Sequence, residues 1–356
     1  VMRILPRLFS AAVLTGIMVI LGACSERSTD AQSSADAALQ VSGAGATFPE
    51  PLYQEWILHL RKEMPGVAFS YEGIGSGGGV KRFIAQQVDF GASDAAMTDA
   101  EIEKVERGVE LIPATAGMVV LAYNLPGIEG DLRLPRDVYA DIFLGKIWRW
   151  DDKRIAAANP HLALPSKLIQ VVSRRDSSGT TFAFTKHLST INRAWQEEGP
   201  GTGKNVDWPG GAMTGRGNEG VAHKVKITQG SIGYMEYGFA RRLGLPMALL
   251  QNKAGEFIRP DANGGRAALA AAATTTLPAN LRLFLPDPDG TDSYPIVSLS
   301  WILAYASYPD ADIAAALKDA LNWSLRQGQP IAEEMGYIPL PEIIVAKASE
   351  AVARIN

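Results

Sequence analysis

Three short segments place small hydroxyl and glycine residues just ahead of, or at the start of, a predicted helix. They are Ala46-Thr47-Phe48, Gly75-Ser76-Gly77-Gly78-Gly79 and Ser177-Ser178-Gly179-Thr180-Thr181. A helix N-terminus exposes unpaired N–H groups and about half a unit of positive charge, and glycine lets an anion reach them. Hydroxyls at the same positions add donors. Ser/Thr/Gly before a helix is most often a plain cap, but three such segments beside an arginine point to a common anion site. The arginine lies in Ser173-Arg174-Arg175-Asp176-Ser177-Ser178. Its planar fork suits a tetrahedral oxyanion, and Asp176 is placed to orient it. The plainer alternative is a surface ion pair of little energetic consequence.

These segments need a scaffold that brings distant helix starts together. The 356 residues suffice for two cores, and 47% hydrophobic with 20% charged residues is ordinary for a globular chain. From Val41 onward short apolar strands alternate with helix-period segments, which predicts an α/β architecture. Leu52, Trp56 and Leu60 predict a helical face after Thr47, and Val80, Phe83 and Ile84 another after the glycines. Phe184, Leu188, Ile191 and Trp195 predict one side of a third helix. Thr98 and Glu101 have capping-box spacing. Val109–Asn124 and Tyr294–Tyr305 read as buried strands, and Ala314–Leu325 as an amphipathic helix that returns the chain to the first half.

Other chemistry finds little support. The net charge of −4 gives no basic surplus for nucleic acid. The four histidines, His59, His161, His187 and His223, lack metal-ligand spacing, so neither a metal nor a cofactor is expected. Ser76 has Ile74 two residues before it where a nucleophile elbow needs glycine, which argues against a hydrolase. The lone cysteine, Cys24, excludes an intrachain disulfide. It follows a basic start (Arg3, Arg7), a mostly apolar run over residues 8–21 and the small residues Gly22 and Ala23. That run is short for a membrane span and resembles a bacterial lipoprotein signal. Residues 1–23 are then a signal peptide, with Cys24 acylated. Residues 24–40 are a flexible polar tether holding a soluble body at a membrane surface.

VSGAGATFPEPLYQEW, YEGIGSGGGVKRFIAQQVDFGASDAAMT, DIFLGKIWRWDD, RRDSSGTTFAFTKHL, GNEGVAHKV, GSIGYMEYGFA and MGYIPLP resemble, in this order, the phosphate-binding protein of the bacterial phosphate-specific ABC transporter. The resemblance runs from about Val41 to Leu340. It implies a periplasmic-binding-protein type II fold, two α/β lobes joined by hinge strands with the ligand in the cleft between them. Residues 41–120 and 292–356 would form one lobe, and residues 121–291 the other. It implies inorganic phosphate as ligand, delivery to two membrane permease subunits and an ATPase subunit, no catalysis, a monomer, and residence in the periplasm or at the outer face of the cell membrane. The matching contacts are Thr47 (hydroxyl and N–H), the Phe48 N–H, the Ser76 hydroxyl, and N–H groups and hydroxyls from Ser178, Gly179 and Thr180. Arg174 is the charged donor, oriented by Asp176, although a register slip would substitute Arg175. The family usually has a second serine where this chain has Gly77.

Asp94 decides the ligand within that reading. A buried carboxylate facing an anion opposes lone pairs unless the ligand brings a proton. Phosphate at neutral pH carries one and sulfate carries none, so Asp94 would reject sulfate. Asp94 as a turn cap, another oxyanion as ligand, and an adhesion or signalling protein on the same fold remain the alternatives.

Overall fold

A computed structural model describes residues 38–273 and 278–356. The expected signal peptide and Cys24 lie outside the described residues, as does most of the expected tether. The first strand among the described residues begins at Leu39, two positions before the body was expected to start.

Among the described residues eleven strands are formed: β1 (Leu39–Gly45), β2 (Val67–Gly73), β3 (Phe90–Ser93), β4 (Val109–Tyr123), β5 (Arg133–Leu134), β6 (Gln170–Arg174), β7 (Met213–Gly215), β8 (Ser231–Glu236), β9 (Leu249–Gln251), β10 (Phe257–Ile258) and β11 (Val297–Tyr305). Eight of them make one sheet in the order β2-β1-β3-β11-β4-β8-β6-β7, and β10-β9-β5 make a small second one. β1 pairs in parallel with β2 and β3, and β6 in parallel with β7 and β8. Between these parallel groups run β11 and β4, antiparallel to each other and to their outer neighbours.

β4 is the element that joins the two groups. Its first part pairs with β11 through Met118, and its last five residues, from Val119 to Tyr123, pair with β8. Its sequence, VELIPATAGMVVLAY, is buried at every position after the first two, as expected for a strand covered on both faces. Pro113 falls where the register with β11 shifts, between Ser300 and Trp301, a place where its missing N–H does least harm.

The helices follow the apolar spacing with instructive differences. The first spans Glu50–Glu63 and is capped at Pro49, so Thr47 is not its cap. That leaves the Thr47 side chain for other partners. The second spans Ser76–Ile84, which places the glycine run within its first turn. The third site helix, Gly179–Ile191, ends before Trp195; that residue belongs to a separate turn, Arg193–Glu197, opened by the Asn192 side chain. Thr98 and Glu101 form the expected capping box. Asp310 caps the helix Ala311–Arg326, which packs back on the β1 side. No helix among the described residues is long and apolar enough to cross a membrane.

Candidate functional site

The strand ends converge where the two parallel groups meet. Thr47 follows β1, Asp94 follows β3 and Arg174 ends β6, each at the carboxyl end of its strand, where open α/β sheets place ligands. Ser76 and Gly179 open helices that start from the same region. Thr47, Phe48, Ser76, Asp94, Arg174, Ser178 and Thr180 are all buried, none more than 6% exposed. Residues as far apart in sequence as Thr47 and Thr180, 133 positions, thus come to one buried cluster.

Arg174 turns inward while Arg175 is exposed. The Arg174 Nε donates to Asp176 Oδ1 at 2.9 Å, and Nη2 bonds Asp176 Oδ2, a bidentate clamp. Nη1 donates to Thr180 Oγ1 at 3.3 Å and Nη2 to Thr47 Oγ1 at 3.2 Å, so the guanidinium spans both sides of the cluster. Its backbone N–H is held by the Tyr234 hydroxyl at 3.1 Å; that ring stacks on Phe184 at 4.7 Å. Burial pushes the Asp176 carboxyl up. The Arg174 hydrogen bonds and charge, with the Gly217 N–H at 2.8 Å, outweigh it and leave the group below its ordinary value. Asp176 therefore stays ionised as the orienting partner.

The Ser76 hydroxyl accepts from the Gly179 N–H at 3.0 Å and the Asp94 N–H at 3.2 Å. With its lone pairs filled, its proton points to Asp94 Oδ2, 3.4 Å away. The Ser300 hydroxyl donates to Asp94 Oδ1 at 2.8 Å. Asp94 is thus no turn cap. Burial pushes its carboxyl up to about 7, opposed by the Ser300 bond, the Arg174 charge and the Ser76 bond. The site consists of donors around one protonatable acceptor.

Gly179 permits this closeness. A Cβ there would stand 2.5 Å from Ser76 Oγ and 2.6 Å from the Asp94 Cβ. Gly77 has a similar reason. A Cβ at that position would come 2.0 Å from Ser177 Oγ, so Ser177 fills the space a serine at 77 would need. The Gly77 N–H donates to the Ser177 carbonyl at 3.0 Å. Ser178 caps its helix by accepting from the Thr181 N–H at 3.0 Å, and its own N–H donates to the Lys204 carbonyl at 2.9 Å. Two of the backbone donors assigned to this loop are therefore engaged within the protein, while the Thr180 N–H sits in the first turn, where helices leave N–H groups unpaired. The Phe48 carbonyl accepts from the Tyr337 hydroxyl at 2.9 Å, which fixes that stretch of backbone. A cleft of ≈ 200 Å³ reaches the cluster at Thr47 and Asp176, flanked by Glu50, Arg216 and Glu219.

Two participants were not assigned from sequence. Ser300 is 206 positions from Asp94, on β11, with no local motif to mark it. Asn218 lies within the segment GNEGVAHKV, so the motif was visible but the role was not. Its Nδ2 reaches Thr47 Oγ1 at 3.1 Å and Thr180 Oγ1 at 3.3 Å.

The chain and its fold have known relatives. Residues 30–327 match the family model described as the PBP superfamily domain. The chain is 42% identical over 308 residues to the phosphate-binding protein PstS of Pasteurella multocida, covering 86% of this chain and 88% of that protein. It is 39% identical over 333 residues to the phosphate-binding protein PstS of Methanocaldococcus jannaschii, covering 88% and 85%. In fold it resembles the high affinity periplasmic phosphate-binding protein PfluDING bound with phosphate (TM-score 0.72, 21% identity, 88% and 93% covered). A phosphate-binding protein from Stenotrophomonas maltophilia is similar in the same way (TM-score 0.70, 19% identity, 87% and 93% covered). With the sheet order, the strand-end cluster and these relatives together, the chain has the periplasmic-binding-protein fold and belongs to the PBP superfamily and, within it, to the phosphate-binding protein PstS family.

Proposed function

We propose that this protein captures inorganic phosphate within the Thr47–Asp94–Arg174 cluster and delivers it to an ABC-type importer, with no chemistry of its own. One observation carries the reading: a buried ring of hydroxyl, backbone N–H and guanidinium donors encloses a single carboxyl that burial pushes up to about 7. Such a group accepts the proton of hydrogen phosphate and opposes a fully ionised sulfate. Dry, oriented donors hold an anion in an acidic protein because local geometry outweighs net charge. The relatives carry the names of binding proteins, and the buried serines have no histidine partner among the hydrogen bonds of the described residues.

In this reading Thr47, Phe48, Arg174, Thr180 and the Ser178 hydroxyl supply donors, the Gly179 N–H and the Ser76 hydroxyl hold the wall of the site against Asp94, Asp176 orients Arg174, and Asp94 selects the ligand. Residues 41–120 with 292–356 and residues 121–291 act as two lobes hinged at β4 and β11. The protein is an exported monomer, acylated at Cys24, that meets two permease subunits and an ATPase subunit. Phosphate titration of protein freed of bound phosphate tests the core of it. Dissociation constants in the micromolar range or tighter, about −8 kcal/mol, are expected. No heat at millimolar phosphate overturns the reading.

A further inference from the structure

Thr47 and Thr180 stand on opposite sides of the Arg174 fork, and a hydroxyl facing an anion is useful only if its proton points there. A hydroxyl has one proton and two lone pairs, and it donates reliably when other donors fill both pairs. The Thr47 Oγ1 accepts from Arg174 Nη2 at 3.2 Å, from the Asn218 backbone N–H at 3.2 Å and from Asn218 Nδ2 at 3.1 Å. Thr180 Oγ1 accepts from Arg174 Nη1 at 3.3 Å and from Asn218 Nδ2 at 3.3 Å. Both oxygens are saturated with donors, so each proton is directed away from these nitrogens.

The orientation of the Asn218 amide is itself fixed. The Glu236 backbone N–H, which can only donate, bonds Asn218 Oδ1 at 3.0 Å. The other end of the amide is therefore nitrogen, and it faces the two threonines. Asn218 is fully buried in the first turn of the helix Gly217–Ile227. That turn is held at its start by the Gly217 N–H, which bonds Asp176 at 2.8 Å.

We infer that Asn218 is a positioning residue whose amide locks the Thr180 hydroxyl as a donor toward the ligand, an inference that rests on the phosphate reading above. At Thr180 Arg174 alone supplies one donor, which leaves a lone pair free to turn toward the anion, whereas at Thr47 the Asn218 backbone N–H already fills the second pair. The Asn218 amide removes that freedom at Thr180 and adds a further donor at Thr47. It also ties Thr47, after β1, to the helix after β7, so the lock forms only when the two sides of the cluster meet.

Phosphate affinity and dissociation rate of Asn218→Ala, Asn218→Ser, Thr180→Val and the Thr180→Val/Asn218→Ala pair test this, with the melting temperature of each variant measured without phosphate. The inference expects Asn218→Ala and Asn218→Ser to bind phosphate about 10-fold more weakly, mainly through faster release. In the Thr180→Val background, where the hydroxyl that needs the amide is gone, the same change is expected to cost no more than about 3-fold. An equal loss in both backgrounds, affinity unchanged on substituting Asn218, or variants that fail to fold without phosphate would each overturn it by assigning Asn218 to the fold alone. Wild type measured in the same series keeps the two readings apart: if wild type itself ignores phosphate, the phosphate reading has failed instead.

Discussion

Asp94 concentrates the electrostatics of the site. Burial pushes its carboxyl from the ordinary value of 3.8 up to about 7 despite two hydroxyl donors and a nearby guanidinium. The folded carboxyl therefore holds its proton to higher pH than the unfolded one, and this group's contribution to stability falls as pH rises from about 4 to about 7. Above that range the ligand-free protein bears the full cost of a buried charge. Asp94→Asn keeps the shape and removes the charge, so without phosphate it is expected to melt several degrees higher than wild type at pH 8. The gap should close near pH 4. Scanning calorimetry at the two pH values checks it, and a lower melting temperature for the variant at pH 8 contradicts it. Arg174 works by the opposite logic. Its bidentate bond with an ionised Asp176 presets the fork, so Arg174→Lys, which cannot form that pair of parallel bonds, is expected to weaken phosphate binding by about 10- to 100-fold in a titration.

Among the elements, the short helix Asp99–Ile102 reaches segments far along the chain. The Lys204 Nζ meets Glu101 Oε1 at 2.7 Å, and Arg282 Nη2 meets Asp99 Oδ1 at 2.6 Å. The Lys204 carbonyl also accepts the Ser178 N–H, so this contact continues into the loop that opens the Gly179 helix. Burial raises the Glu101 carboxyl, but the Lys204 bond and the Thr98 N–H bring it below its ordinary value. Both pairs are partly exposed and worth roughly 0.2–1 kcal/mol each. Lys204→Met, which leaves the Thr98–Glu101 capping box intact, is expected to speed phosphate release about 2- to 5-fold at low salt, with less effect at 1 M salt. Stopped-flow displacement measures this, and a release rate independent of Lys204 contradicts it. The strands and helices themselves were legible because burial imposes regular spacing: the apolar run of β4 and the Thr98–Glu101 box both appear as read. Helix boundaries were less legible. Thr47 reads as a cap until Pro49 is seen to occupy that place, and Trp195 continues an apolar spacing that Asn192 interrupts.

For the whole molecule, the site depends on long-range closure that no local motif encodes. Ser300 and Asn218 come to Asp94 and Thr47 across 206 and 171 positions, so only the fold assigns them. The choice between Arg174 and Arg175 was likewise open in the sequence, because adjacent residues on a strand end face opposite ways and the register decides which is buried. Gly179 and Gly77, by contrast, were visible as glycines, while the reason for them is a neighbour from another segment. If the two sides of the sheet move as lobes about β4 and β11, phosphate should compact the protein and stabilise it. At a hundredfold excess over the dissociation constant the gain is about 2.7 kcal/mol. Small-angle scattering and thermal melts with and without phosphate read both effects, and an unchanged radius of gyration argues for a rigid protein.

The central claim is that one buried carboxyl accepts a ligand's proton inside a shell of donors, and competition calorimetry with phosphate and sulfate, on wild type and Asp94→Asn, tests it most directly. Wild type is expected to prefer phosphate by about 1,000-fold or more at pH 8, and Asp94→Asn, with no carboxylate to oppose sulfate, to lose at least about 10-fold of that preference. A wild type that binds sulfate as well as phosphate, or a variant whose preference is unchanged, contradicts the account.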